Sequence, residues 1–514
     1  MRCYLFWFPM NPVLLRRRHR WADNPEASPP RAWKPLVALC FCLALAASAP
    51  GKTAFPEKLD SLMRAYEKTQ FFLGVLLVAK DDVVLYQKAF GPADREHKTA
   101  NLPDTRFNIA SMGKTFTAVL IMQLVEEGKL DLNNPIGTYL PEYHIPNADK
   151  ITIHHLLTHT SGLTNYMEHP KYKERRAGLR TLDDVMALVT DMLLAFETPG
   201  KEFSYSNSGF IVLGRIIEKV TGKPYVSYAR EKLWAPLGMK GTSIDYPPAL
   251  DPPSEAVPYY VFSPRSYVNG MSDENPAFSD GGAFSCAPDL VAFARALLSG
   301  KLLKPEMRSR MLTPYFPVDP QTKYGYGWFI YENQQGKRLV GHSGGGHGYS
   351  SDLKISLDDG YVIVLLANVR IASRRITENI VKLIATGEYD VPQPSAQTFL
   401  FGEMEKRGVT AVLEDLEKTL ARHGDKKLTS PVVLISVADA LASLKKTGEA
   451  LRVHERNIKE FPKSAMPYGA LGEFYASLGK RGDAVACFRK ALAIDPEDPY
   501  AALKLKALQA APAK

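Results

Sequence analysis

The spacing of apolar residues changes several times along the chain, and each change marks an element. Leu73–Ala79 and Val83–Phe90 read as two strands joined at Lys80-Asp81-Asp82, a hairpin-like pair. From Met112 to Leu130 the period lengthens. Phe116, Val119, Leu120 and Leu124 recur at helical spacing, and Gly128 marks the end. Helical segments fill much of the middle. Strands return near Trp328–Tyr331, Arg338–Val340, Ser350–Ser356 and Tyr361–Ala367, and a helix comes after them near Ile376–Ile384. Early and late strands around a helical insert predict an α+β domain over residues 50–386.

Residues 387–397 contain Pro392 and Pro394 and read as a linker. Residues 398–514 turn helical throughout. Ala438, Ala450 and Pro462 recur 34 positions later as Gly472, Ala484 and Pro496. The later copy adds Tyr475, Phe488 and Ala491 and resembles a tetratricopeptide repeat. Its spacing puts small residues where two helices cross and proline at the exit of the second. Phe399–His423 reads as a degenerate third copy. Two clear copies are fewer than the roughly three that stand alone. The array is therefore expected to pack on the first domain or on a protein partner, and a plain helical appendage is the simpler reading.

At 514 residues the chain predicts two to four domains. A hydrophobic share of 45% and a mean hydropathy of −0.17 describe a globular protein. A pI near 9.0 invites a nucleic-acid reading. However, residues 1–49 hold seven Lys/Arg and two Asp/Glu, which is +5 of the total +9. The remaining +4 shows no basic run, so nucleic acid is not the expected partner. Residues 1–49 instead read as a leader. Arg31 and Lys34 precede an apolar run, Leu36–Ala47, and Ala47-Ser48-Ala49 is a small-residue cleavage site. The thirty residues ahead of that run are long for a signal peptide, which fits either an over-extended start or an uncleaved, membrane-retained leader. The expected location is secreted or periplasmic, with membrane contact only if the leader stays. Cys3, Cys40 and Cys42 would leave with the leader, while Cys286 and Cys487 fall in different domains and predict no disulfide.

Three motifs carry the chemistry: Ser111-Met112-Gly113-Lys114, Tyr205-Ser206-Asn207 and His342-Ser343-Gly344. They supply a nucleophile, a nearby amine, a phenol and amide to manage protons, and a glycine-rich strand for an oxyanion. Ser-x-x-Lys also occurs at Ser351–Lys354, Ser443–Lys446 and Ser477–Lys480, so context must choose. Ser111 opens the apolar helix, at the positive end of its dipole, and Lys114 shares its face. A lysine withdrawn from water can serve as a base near neutral pH. Gly341-His342-Ser343-Gly344-Gly345 also fits the strand–turn–helix elbow of α/β-hydrolases, but Tyr349–Leu357 beyond it alternates like another strand. His154, His155 and His159 raise a metal question. No Glu lies within their spacing, so no metal is expected, and His159 reads as a hydrogen-bonding residue of its own turn.

The ordered motifs resemble the penicillin-recognising serine hydrolases, and within them the class C β-lactamase-related family. Leu156–Leu163, Tyr205–Phe210, Leu233–Met239, Gly281–Leu290 and Tyr324–Trp328 extend the likeness over residues 55–385. The resemblance implies an antiparallel sheet flanked by helices, plus a helical subdomain, with the site in the cleft between. It implies Ser111 as acylated nucleophile, Lys114 as base or the base's partner, and Tyr205 as second proton carrier. It implies Asn207, His342 and Gly344 as substrate-binding, and the N–H groups of Ser111 and Gly345 as the oxyanion hole. No cofactor is implied. His342 departs from the lysine of class C β-lactamases, since a neutral imidazole brings no fixed charge to a substrate carboxylate. The expected function is an exported serine hydrolase of amides or esters, of D,D-peptidase, D-amino-acid peptidase or esterase type, acting on a small molecule or peptide. A true β-lactamase and a non-enzymatic binder working through the repeats are the alternatives.

Overall fold

The computed structural model describes residues 55–510, apart from 245–254, 272–275, 334 and 425–426. The expected leader lies outside the described residues. The chain forms two compact units, one over Lys58–Gly402 and the other holding Glu403–Lys514.

The first unit is built on one eight-stranded sheet. Its strands are β1 (Gly74–Lys80), β2 (Val83–Phe90), β3 (Phe316–Asp319), β4 (Thr322–Tyr324), β5 (Phe329–Glu332), β6 (Arg338–Gly346), β7 (Tyr349–Ser356) and β8 (Tyr361–Ala367). The order is β2-β1-β8-β7-β6-β5-β4-β3, with every pairing antiparallel. The first hairpin closes against the last strand, in register from Gly74↔Ala367 to Lys80↔Tyr361. Two ends of the unit, nearly three hundred residues apart, thus share one core.

β6 runs to Gly346, well beyond the Val340 predicted for it, because a triple glycine carries little strand signal. β3 and β4 escaped the sequence pattern. Both are short, and Pro317 sits on β3, the edge strand, where a missing N–H is tolerated.

Helix α1 (Phe55–Gln70) precedes the sheet. The predicted Met112–Leu130 helix consists of a 3₁₀ turn, Ala110–Gly113, followed by α2 (Lys114–Glu126). Gly128 takes a left-handed φ of 70° after its end. Every residue of α2 from Lys114 to Met122 is buried, so it is a central core helix rather than an amphipathic surface one. Phe116 packs edge-on against Phe293, with ring centroids 4.9 Å apart. The other helices that frame this unit's site are α3 (Asn207–Thr221), α4 (Ala287–Leu298) and α5 (Ser373–Thr386).

The second unit contains α6 (Val432–Ser443), α7 (Thr447–Glu460), α8 (Ala465–Ser477), α9 (Arg481–Ile494) and α10 (Pro499–Ala510). A Cβ on Gly472 would stand 3.0 Å from the Phe488 ring, so the small residue marks a close helix crossing. Ala484, Phe488, Ala491 and Ala501 form a small core. Phe399–His423, expected as one repeat, lies within three helices, Ala396–Arg407, Val409–Glu414 and Leu416–His423. Among the described residues no helix is long and apolar enough to cross a membrane. Cys286 and Cys487 are free thiols.

Candidate active site

Ser111 sits in the 3₁₀ turn ahead of α2, and that turn is gripped from both sides. Phe107–Asn108 pairs with Phe284–Ser285, and the Ile109 N–H donates to the Ala283 carbonyl at 2.8 Å. The Ala110 N–H donates to Asn108 Oδ1 at 2.9 Å. Ala110 holds a φ of 46°, a strained value for a residue with a side chain, immediately before the nucleophile candidate. From the sheet, Ser351 Oγ donates to the Ile109 carbonyl at 2.8 Å. A Cβ on Gly344 would stand 2.1 Å from that same carbonyl oxygen, so only glycine lets β6 approach this closely. Gly344 therefore packs against the turn, whereas a Cβ on Gly345 would meet nothing within 4 Å.

Lys114 begins α2 one turn after Ser111 and is fully buried. Its Nζ lies 3.1 Å from Ser111 Oγ, 2.6 Å from Asn207 Oδ1 and 2.6 Å from the Asp280 carbonyl oxygen. Two of these partners can only accept, while the serine hydroxyl can also donate. A neutral amine has two N–H donors and one lone pair, which matches that set in full. The same three partners also satisfy the three donors of an ammonium. The pocket thus accommodates both protonation states without an unpaired group, which is what a proton-shuttling amine needs.

Asn207 opens α3, which Ser206 caps by accepting the Gly209 N–H at 3.3 Å. The cap fixes the direction of Asn207, whose Nδ2 faces Met167 Sδ at 3.5 Å. Tyr205, just outside the helix, is half-buried and holds its ring centroid 4.9 Å from Lys114 Nζ.

His342 and the free edge of β6 complete the cleft. His342 is 1% exposed. Its Nδ1–H donates to the Ser343 carbonyl at 2.7 Å, and its Nε2 accepts from the Tyr324 hydroxyl at 3.1 Å. Burial, reinforced by the Lys114 charge, pushes its pKa down to about 3 and keeps the ring neutral. Direct substrate contact, expected of His342, does not fit a buried ring with both nitrogens occupied. The ring instead backs Tyr205, with centroids 6.3 Å apart.

β5 pairs with β6 only as far as Gly341, so among the described residues the edge from His342 onward faces no strand on that side. Gly346 and Tyr349 close a two-residue loop and form a hydrogen-bonded pair. Alternation then turns the Gly345 N–H away from β7, toward the open edge.

Asp280, Tyr166 and His159 carried no sequence expectation of a role in this site. Asp280 lends its backbone carbonyl to Lys114. Its buried carboxyl accepts from the Tyr166 hydroxyl at 3.2 Å, and burial raises its pKa to about 6 against the opposing pull of Lys114. The His159 side chain lies beside Tyr205, its Nδ1 accepting the Ser206 N–H at 3.1 Å, rather than bonding within its own turn. The signals available were Gly281-Gly282 after Asp280 and the Thr160-Ser161-Gly162 turn after His159, both turn markers that say nothing about tertiary reach.

The rival motifs fall elsewhere. Ser343 lies inside β6, which turns into β7 rather than into a helix, so the elbow is absent. Ser443 and Ser477 end helices α6 and α8. His154 Nδ1 pairs with the Tyr326 hydroxyl at 2.9 Å, and His155 forms a capping box with Thr152. Among the described residues no His, Cys, Asp and Glu set is arranged to hold a metal ion.

Comparison with known proteins places this geometry in context. Residues 59–386 match the family described as Beta-lactamase. PbpX of Bacillus subtilis, which carries a penicillin-binding-protein name, is 32% identical over 266 residues, 52% of this chain and 64% of PbpX. Esterase EstB of Burkholderia gladioli is 33% identical over 222 residues, 40% of this chain and 55% of EstB. The chain spans less than two thirds of the length of either. The crystal structure of a D-stereospecific amidohydrolase from Streptomyces superposes with a TM-score of 0.55 at 28% identity, covering 64% of this chain and 99% of that one.

Proposed function

Since the chain belongs to the Beta-lactamase family, we propose that it is a serine hydrolase that cleaves an amide or ester bond through an acyl-enzyme on Ser111. The observation that carries this is the 3.1 Å contact between Lys114 Nζ and Ser111 Oγ inside a saturated polar pocket. In the first half-reaction the Ser111 Oγ proton passes to the Lys114–Tyr205 pair as Oγ attacks the carbonyl carbon. The carbonyl oxygen takes the charge, facing the N–H groups of Ser111 and Gly345. The same pair then returns the proton to the leaving amine or alcohol. Water repeats the sequence to release the acid and restore Ser111. One oxyanion donor is worth about 2.7–4 kcal/mol. Asn207 Nδ2 is the donor available for a substrate carbonyl. The chemistry uses side chains and backbone alone.

The names of an esterase and a D-stereospecific amidohydrolase among the relatives support D,D-peptidase, D-amino-acid peptidase or esterase activity over β-lactam hydrolysis. So does the buried neutral His342, which offers no cation to an antibiotic carboxylate. Export, with residues 1–49 as leader, is supported by the Leu36–Ala47 run and the site after it. A tetratricopeptide-like array over residues 398–514 is supported by the Gly472–Phe488 crossing, and a protein partner is the role proposed for it.

The test is covalent labelling with a fluorophosphonate or a penicillin, located by mass spectrometry. Modification of the Ser111 peptide is expected, and modification of Ser343 or of no serine overturns the proposal. Turnover of acyl-D-Ala-D-Ala peptides, D-amino-acid amides, short esters and a chromogenic cephalosporin then ranks the substrate classes. Rapid steady hydrolysis of the cephalosporin alone would restore the β-lactamase reading.

A further inference from the structure

His159 touches the Tyr205 segment at three points, on both sides of the phenol. Its backbone carbonyl accepts the Ser204 N–H at 2.9 Å. Its Nδ1 accepts the Ser206 N–H at 3.1 Å. Between these two bonds its ring lies against the Tyr205 ring, with centroids 4.2 Å apart and planes 37° apart. The residue is 1% exposed and holds a φ of 56°, a left-handed conformation uncommon for residues with a side chain and entered most often by Asn, Asp and His.

The hydrogen bond to Ser206 also fixes the tautomer. Nδ1 must keep its lone pair for that N–H, so the ring proton sits on Nε2, which is buried and finds no acceptor among the described residues. An apolar side chain would avoid that unpaired donor. What it would lose is the acceptor for Ser206, the residue that also caps α3.

We propose that His159 is the positioning residue of Tyr205, holding the phenol over Lys114 by clamping the backbone before and after it. The inference rests on Tyr205 being a proton carrier of the serine hydrolase reading. It assigns the Thr158–Gly162 turn a part in catalysis, through the tyrosine and without contact with substrate. A displacement of about 1 Å in a catalytic group can lower a rate about 10²-fold, so the clamp is of catalytic scale.

Three variants separate the clamp's parts. His159→Asn keeps an acceptor near the Nδ1 position and tolerates the positive φ, but loses the ring. His159→Phe keeps a ring and loses the acceptor. His159→Ala loses both. With ester substrate, kcat is expected to fall about 10-fold in the first two and about 100-fold in the third, with KM within about 2-fold of the parent.

The deciding measurement is the double-mutant cycle with Tyr205→Phe, made with His159→Asn and again with His159→Phe. If His159 acts through the phenol oxygen, each His159 change has little further effect once that oxygen is gone. Full additivity in both cycles overturns the inference and leaves the hydrolase reading intact. Wild-type kcat in Tyr205→Phe removes Tyr205 from proton transfer and takes the inference with it. Circular dichroism melts confirm that each variant compared is folded.

Discussion

Ser111-Met112-Gly113-Lys114 and Ser351-Asp352-Leu353-Lys354 have the same serine-to-lysine spacing, and both lysines are buried, at 0% and 2% exposure. Only the first pair meets. On a helical turn, residues three apart share a face, and Lys114 reaches Ser111 Oγ at 3.1 Å. On strand β7, residues three apart point to opposite faces. Ser351 turns toward the Ser111 turn and bonds the Ile109 carbonyl. Lys354 turns the other way, pairs with Asp352 at 3.4 Å and stands 4.3 Å from the Tyr331 ring centroid. Identical spacing thus yields a candidate catalytic pair in one place, and a brace plus a buried ion pair in the other. The difference lies in backbone geometry, not in residue types.

The sharpest way to break this comparison is at the serines. Ser111→Ala is expected to lower kcat by about 10⁶-fold, the scale seen when a serine nucleophile is removed. Ser351→Ala is expected to retain labelling at Ser111. It loses one hydrogen bond to the Ile109 carbonyl, worth about 0.5–1.5 kcal/mol of stability. Steady-state rates and intact-mass labelling of both variants decide the matter. Loss of labelling in a folded Ser351→Ala would make the brace part of the chemistry.

The buried groups on the two faces respond to acid with opposite sign. On the cleft side, His342 has its pKa depressed to about 3. The native state then binds fewer protons than the unfolded chain between that value and the usual 6.5. Stability from this group is fully present above pH 6.5 and is lost as pH falls toward 3, by about 5 kcal/mol in all. On the outer face, burial raises the Asp352 carboxyl, so protonation there favours the native state as pH falls. His342→Phe should flatten the acid limb of a urea-denaturation series between pH 6.5 and 4. An unchanged limb would mean that His342 is not the group taking up the proton.

The lysines come next. Lys114→Ala is expected to reduce kcat by about 10²–10⁴-fold while the melting transition stays cooperative. Lys354→Met leaves Asp352 buried without its cation, and breaking such a pair typically costs about 3–5 kcal/mol. Its turnover per folded molecule should match the parent. Rates and denaturation curves measured on both proteins test the division. A slow but fully stable Lys354→Met would move that lysine into the catalytic account.

Much of the molecule was legible from the residues. The Ser111 turn, α2, the first hairpin and the late strands β7 and β8 follow from periodicity, which reports burial along one element. The assembly of Ser111, Lys114 and Asn207 followed from motif order. What periodicity does not carry is contact across elements. Asp280 enters the site through its backbone carbonyl, which any residue type would supply. His159 enters through a ring placed by a positive φ that no hydrophobic pattern encodes. His342 looked like a substrate group because its motif position was visible and the rings of Tyr324 and Phe329 packed around it were not. The end of β6 stayed hidden because glycine is silent about strand geometry.

That silent end supplies the finest test, since the two adjacent glycines of β6 face opposite surroundings. A methyl group on Gly344 would lie 2.1 Å from the Ile109 carbonyl oxygen and 2.5 Å from Ser351 Oγ. Neither neighbour can retreat without opening the turn that holds Ser111. Gly344→Ala should therefore lose about 1–3 kcal/mol of stability and also turnover, because the Gly345 N–H moves with the strand. On Gly345 the methyl would enter space with no atom of the described residues within 4 Å. Gly345→Ala should melt within about 0.5 kcal/mol of the parent, as surface substitutions usually do. If that space holds the substrate, the same variant should raise KM for a bulky ester more than for an acetate. Equal KM ratios for the two esters would place the substrate elsewhere along the cleft. A Gly344→Ala variant that folds and turns over like the parent would show that β6 and the Ser111 turn are not in the tight contact on which the site depends.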